Sequence, residues 1–184
     1  MSKKKHKTNR ESRVIISELM LPSHSNFSGK IHGGYILSLM DQIAFACASK
    51  HSEAYCVTAS VDKVDFLKPI EVGELVTMKA SVNHVGTTSM VVGVRVESEN
   101  IQTGVIKHCN SSYFTMVAKN PEGKSIPIPG LILENKTAIR RFVRSIIRKE
   151  DAKARRDRFK ASEFELESHL EILEKYNVKI TLKN

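Results

Sequence analysis

Residues 26–41 read NFSGKIHGGYILSLMD: a polar loop with an asparagine, a pair of glycines, then an apolar run that passes straight over an aspartate. Downstream of the glycines come Tyr35, Ile36, Leu37, Leu39, Met40, Ile43, Ala44, Phe45, Ala46 and Ala48. A helix over roughly residues 34–50 follows from this run, apolar on nearly every side, and such a helix is normally buried. Asp41 falls in its middle, where a charge is costly unless it is paired or used.

Working outward, the run RVIISELML before the loop is β-branched at its start and reads as a strand. After the helix, AYCVTASVDKVDF is strand-like and ends at Pro69 and Gly73, which mark turns. LVTMKASVNHV, MVVGVRVES and VIKHCNSSYFTMVA each alternate apolar and polar residues with period two, separated by GTTS and ENIQTG. The order is one strand, one long helix, then four strands joined by short turns. No second crossover helix separates those strands, so a doubly wound parallel sheet is not expected. The fold class expected is α+β, an antiparallel sheet packed on one helix. A single helix cannot cover both faces of a sheet or hide its own all-round apolar surface, so subunit contact is expected.

Composition narrows the setting. The chain has 184 residues and is 41% hydrophobic, enough for one domain with an extension. No apolar run has the roughly 18 residues of a membrane span, and the basic start MSKKKHKTNRES leads only to VIISELML, too short and polar for a signal-peptide core. A cytoplasmic location is the default expectation. Cys47, Cys56 and Cys109 are odd in number, lack CxxC spacing, and read as reduced thiols. The net charge of +9 is concentrated at the ends: residues 14–130 are near neutral, while residues 131–160 are rich in Lys and Arg. Residues 1–12 are expected to be disordered, residues 13–130 to form the domain, and residues 131–184 to form a charged helical extension. Ile139, Phe142, Val143, Ile146 and Ile147 recur there at helical spacing between arginines, and Leu166, Leu170 and Leu173 continue a seam in an acidic stretch. The tail is expected to pack within the protein's own assembly; nucleic acid or an anionic membrane is the alternative partner for its arginines.

The chemistry resides around the quoted stretch. Gly33 and Gly34 open backbone N–H groups at a helix N-terminus, a place of positive potential suited to polarising a carbonyl oxygen. Asp41 is a candidate general base or nucleophile. Asn26 is neutral and holds a water or a carbonyl by hydrogen bonds. Together these suit hydrolysis of an activated acyl group. There is a geometric objection: Gly34 and Asp41 lie about 10 Å apart along a helix rising 1.5 Å per residue. A two-fold partner with an antiparallel copy of the helix removes it. His24, His51, His84 and His108 show no ligand spacing, so no metal is expected.

The blocks N-x2-G-x2-HGG-x5-MD, VTASVDKVDFLKPIEVGE, VGTTSM and SYFTMVA recur in an order that resembles the hot-dog fold acyl-CoA thioesterases. The nearest branch holds the bacterial broad-range acyl-CoA hydrolases and brain acyl-CoA hydrolase, and the match covers about residues 12–130. The resemblance implies a sheet wrapped round a central helix, a double hot-dog dimer, and commonly a trimer of dimers. It also implies that Asp41 and Asn26 meet across the dimer interface; Gly33 and Gly34 are the oxyanion candidates from their place at the helix start, and no metal or redox cofactor is expected. Coenzyme A would enter as part of the substrate, its phosphates met by Lys and Arg. His32, Thr88 and Ser89 are the substrate-contact candidates, the last two because the corresponding turn lines the coenzyme A channel in that family. Two alternatives stay open: a hot-dog enoyl-thioester hydratase or dehydratase using His32, and a non-catalytic acyl-CoA or nucleotide sensor.

Overall fold

A computed structural model describes residues 6–158 and 165–181. The chain forms two compact units, Met1–Ser145 and Ile146–Asn184. The boundary expected after Gly130 therefore falls inside the first unit.

The sheet is built from β2 (Val14–Leu19), β3 (Tyr55–Val61), β4 (Leu75–Val85), β5 (Ser89–Asn100) and β6 (Val105–Lys119). The strand order is β2-β4-β5-β6-β3, and each neighbouring pair is antiparallel. Consecutive strands β2 and β3 therefore lie at opposite edges. The helix between them, α2 (Gly33–Ser52), carries the chain from one edge to the other. Alternation sets which side chains meet it. Val76, Met78, Ala80 and Val82 of β4, Met90, Val92, Val94 and Val96 of β5, and Phe114, Met116 and Ala118 of β6 are all buried in one cluster with Ile36, Met40, Ile43, Ala44, Cys47 and Ala48 of α2. This is the expected α+β architecture.

Two details differ from the sequence expectation. The β3–β4 connection is a crossover rather than a short turn, because β4 lies beside β2 and not beside β3. Its first residues stay along β6, with the Asp62 and Leu67 amides donating to the Tyr113 and Cys109 carbonyls at 2.9 and 2.8 Å. The N-terminal residues 6–12, expected to be disordered, form strand β1 (His6–Thr8) and the helical turn α1 (Asn9–Ser12). Residues 1–5 lie outside the described residues.

The reason for that order is the C-terminal end of α2. β1 pairs in parallel with β7 (Gly130–Ile132), and a Cβ on Gly130 would lie 2.4 Å from the His6 ring, so a side chain there would force that ring to move. The pairing draws Lys7 against the helix end. Its Nζ meets the Glu53 carboxylate at 2.6 Å and the Lys50 carbonyl at 3.3 Å, a cation where the helix presents unpaired carbonyls. Glu53 ends the helix in the left-handed conformation at φ 57°. His51, fully buried, donates from Nε2 to the Pro129 carbonyl at 3.1 Å.

The third helix, α3 (Lys136–Arg158), begins in the first unit, where the Asn135 side chain accepts from the Ala138 amide at 3.0 Å. Ala138 and Ser145 are buried and the Phe142 ring lies 4.6 Å from that of His84. Of the seam expected to pack within the assembly, Ile139, Val143, Ile146 and Ile147 are exposed in the single chain. In the second unit, α3 continues to Arg158 and a 3-10 helix spans Glu167–Lys175, with Leu166 and Leu170 exposed. Residues 159–164 lie outside the described residues. The three cysteines are buried free thiols, and burial pushes the Cys47 thiol up to about 12. Among the described residues no helix is long and apolar enough to cross a membrane.

The His51 contact yields a pH dependence. Burial lowers the His51 pKa from its ordinary 6.5, more than the Pro129 carbonyl raises it. The unfolded chain therefore binds the extra proton first as pH falls. The stability held by the neutral ring is complete above pH 6.5 and declines below it, down through the lower folded-state pKa. Urea midpoints measured at about pH 7.5 and about pH 5.5 should show a smaller acid loss in His51→Gln, which keeps a donor for Pro129, than in the wild type. Equal losses in the two proteins would contradict this assignment.

Candidate active site

Asp41 is exposed, and this revises the picture of a helix buried all round. One face of α2 packs on the sheet while Ser38, Asp41, Gln42, Phe45 and Ala46 remain open in the single chain. The carboxylate is nonetheless held. Thr58 Oγ1, on the neighbouring edge strand β3, donates to Asp41 Oδ1 at 2.6 Å. No described hydrogen bond uses the other carboxylate oxygen. Around the pair lies a cleft of about 500 Å³ lined by Asp41, Gln42, Phe45, Tyr55, Cys56, Val57 and Thr58. The Phe45 and Tyr55 rings meet edge to face with centroids 5.7 Å apart. A carboxylate anchored through one oxygen, with the second unengaged, is suited to accept a proton from a bound water.

Thr58 is the site residue that sequence reasoning missed. Only part of its signal lay in the sequence. Alternation puts Cys56 and Thr58 on the same side of β3, and Thr58 pairs across to the buried Met116. A hydroxyl on the side of a strand that faces the helix needs a partner, and the nearest polar group on α2 is Asp41.

Asn26 organises its own loop. Its Oδ1 accepts from the Ser28 amide at 2.9 Å, the Ser28 hydroxyl at 2.7 Å and the Lys30 amide at 3.2 Å. These donors settle which way the amide points and leave its NH2 group without a described hydrogen bond. Asn26 is thus equipped to donate to a carbonyl oxygen, but not to accept from a water through Oδ1. The loop is closed by a bridge between Ser25 and Ile31 and turns at Gly29, whose φ of +76° suits glycine.

The start of α2 separates the three residues HGG into different duties. His32 is the N-cap, its Nδ1 accepting from the Gly34 amide at 3.0 Å. That contact engages two expected groups with each other: His32 shapes the helix start, and the Gly34 amide is occupied. The Gly33 amide has no described partner, and it is the donor that remains. The Phe66 ring lies against Gly33, where a Cβ would come within 3.2 Å of it.

Thr88 and Ser89 fall at the turn between β4 and β5. Ser89 pairs with Val117, which pairs with Val57, so it lies in the row adjacent to Thr58. It points to the opposite face of the sheet from Met90 and Thr58, away from its own chain's Asp41. Within one chain the structure brings Asp41 and Thr58 together. No described hydrogen bond joins Asp41 to Asn26, Gly33, Thr88 or Ser89. Among the described residues no group of three His, Cys, Asp or Glu could hold a metal ion.

Comparison with known proteins gives a consistent assignment. The thioesterase superfamily matches residues 28–105. Protein VdlD of Helicobacter pylori is 43% identical over 76% of this chain and 79% of its own. Among solved structures, an apo-hexameric acyl-CoA thioesterase is similar at a TM-score of 0.80 and 38% identity, over 82% of this chain and 97% of that one. The acyl-CoA hydrolase from Staphylococcus aureus, in complex with butyryl coenzyme A, coenzyme A and coenzyme A disulfide, is similar at a TM-score of 0.77 and 32% identity, over 92% and 99%. Variants of that enzyme replace an asparagine, an aspartate and a threonine by alanine. Those three positions follow one another at the same intervals as Asn26, Asp41 and Thr58 here. The chain belongs to the thioesterase superfamily, with its hot-dog fold.

The Asn26 loop can be tested without reference to turnover. In Asn26→Ala the amides of Ser28 and Lys30 lose their acceptor and should exchange with solvent at least about tenfold faster, the scale of one lost hydrogen bond. Asn26→Asp keeps the acceptor and should keep the protection. Unchanged exchange in Asn26→Ala would show that the loop is held by other means.

Proposed function

We propose that the protein hydrolyses acyl-CoA thioesters to a carboxylic acid and coenzyme A, at a site shared by two subunits. Asp41 of one subunit takes the proton of a water through its unengaged oxygen, and the water attacks the thioester carbon. The Asn26 side-chain NH2 and the Gly33 amide of the other subunit donate to the developing oxyanion. Collapse of the tetrahedral intermediate breaks the C–S bond, and the proton held by Asp41 passes to the departing thiolate. Coenzyme A is substrate and product, and the reaction calls for no metal or redox cofactor. Thr58 is a positioning residue: it fixes which oxygen of Asp41 faces the water.

The observation that carries this reading is the Thr58–Asp41 hydrogen bond of 2.6 Å at the head of an open cleft with aromatic walls, in a member of a thioesterase family. Sharing between subunits is supported by three features. The helical rise keeps Gly33 about 10 Å or more from Asp41 of the same chain. Strand β3 is a sheet edge with exposed Tyr55 and Val61, the type of edge that another chain completes. A similar thioesterase is hexameric. A dimer at least, and a trimer of dimers by that likeness, is the assembly proposed. The hydratase alternative is disfavoured because His32 Nδ1 already serves as the helix cap.

Thiol release measured over a series of acyl-CoAs tests the activity directly, and the absence of release from all of them would refute it. Asp41→Asn should lower kcat at least about a hundredfold, the usual scale for losing an acid–base group, while leaving the fold intact. Thr58→Val should lower kcat roughly tenfold, and Thr58→Ser should restore most of it, because the hydroxyl and not the bulk holds the carboxylate. Near wild-type turnover in Asp41→Asn would end the mechanism.

A further inference from the structure

Phe27 is the most exposed large apolar side chain in the described structure, at 113% of its reference accessibility. It is not on a slack loop. It follows Asn26, whose Oδ1 takes three donors and whose amide donates to the Lys30 carbonyl at 2.7 Å. Lys30 is in turn fixed by its ammonium group on Glu71 at 2.6 Å and by a backbone bridge to the same residue. The phenyl ring is therefore held out in a fixed place beside Asn26.

Two other aromatic rings lack cover. Phe45 is 38% and Tyr55 is 63% exposed, and both line the Asp41 cleft. Phe45 lies one helical turn beyond Asp41, on the same side of α2. Tyr55 and Val57 line a second, apolar groove of about 710 Å³ as well, with Ala54, Pro121 and Ile126. Tyr55 and Val57 thus line both the cleft that holds the carboxylate and a larger groove beside it.

We infer that Phe27 of one subunit enters the Asp41 cleft of its partner and packs on Phe45 and Tyr55, closing the acyl pocket and setting a ceiling on acyl-chain length. The inference rests on the shared-site reading. If Asn26 donates to a thioester held over the partner's Asp41, the next Cα is only about 3.8 Å away, and Phe27 is delivered to the same cleft. Phe45, Tyr55 and Val57 give that cleft an apolar wall beside Asp41, Gln42 and Thr58. Three aromatic rings around it leave room for a short acyl chain. With Phe27 removed, a longer chain reaches past Tyr55 into the second groove. The substrate class is therefore short-chain acyl-CoA, with the partner's Phe27 as the specificity determinant.

Two measurements test this. The first places the photoreactive analogue p-benzoylphenylalanine at position 27 in a mixture of isotopically light and heavy chains. Irradiation should give light–heavy crosslinks to peptides carrying Phe45 or Tyr55. Crosslinks confined to one chain, or to any other surface, would overturn the placement. The second compares kcat/KM for butyryl-CoA and dodecanoyl-CoA. Phe27→Ala should raise the dodecanoyl-to-butyryl ratio at least roughly tenfold, on the scale by which apolar pockets discriminate, and Phe27→Leu should stay near the wild-type ratio. A Phe27→Ala ratio within about twofold of wild type would overturn the ceiling, whether or not assembly mass changes. Should the wild type release no thiol from any acyl-CoA, the hydrolase reading fails, and the crosslink alone decides the place of Phe27.

Discussion

A helix with apolar residues on two faces and a sheet behind only one of them governs this molecule. The sheet covers Ile36, Met40, Ile43, Ala44, Cys47 and Ala48, and leaves Asp41, Phe45 and Ala46 open. The helix cannot turn to bury the second face without exposing the first. The rest of the chain secures it in that position. At one end His32 caps the first turn; at the other, Lys7 and Glu53 join the last turn to the N-terminal strand and the His51–Pro129 bond joins it to the residue before β7. A helix clamped at both ends presents its open face as a fixed surface, and that surface bears the carboxylate.

This placement accounts for how a charge is tolerated mid-helix. Asp41 keeps contact with solvent in the single chain, so it escapes most of the desolvation penalty that a core position would impose. The Thr58 hydroxyl supplies one hydrogen bond, and the second oxygen stays available. The Asn26 loop follows a complementary logic. Its carbonyl oxygen is consumed in shaping the turn, so what it offers outward is a donor. An unengaged acceptor on the helix face and an outward donor on the loop are the two halves that an acyl-transfer site needs, and in one chain no described hydrogen bond joins them. On the proposed shared-site reading, each subunit contributes half of each of two sites.

Much of the fold was legible because period-two alternation in β4, β5 and β6 is clean and the apolar run of α2 is long. Asp41, Asn26 and the glycine pair were legible because a charge on an apolar helix and a glycine-rich loop before it are visible in the residues themselves. What the sequence hid depends on long-range pairing. The ordering of residues 6–12 comes from a parallel pairing with residues near position 130, and nothing local in a basic, polar stretch announces it. Thr58 acquires its role from register across β6 and from the helix above it. The division of labour between Gly33 and Gly34 depends on where the His32 ring turns, and Ser89 faces away from Asp41 only because the hairpin register puts it there. The seam of α3 was read by periodicity alone; periodicity finds an apolar stripe but not which edge of it meets the sheet.

The central claim is that neither subunit holds a complete site. Chains carrying Asp41→Ala and chains carrying Asn26→Ala, each inactive alone, can be mixed, unfolded and reassembled, with hybrid dimers verified by mass. A shared site predicts that the mixture regains activity in proportion to its hybrids, because each hybrid rebuilds one intact site from the wild-type Asp41 of one chain and the wild-type Asn26 of the other. Verified hybrids that remain as inactive as their parents would contradict it.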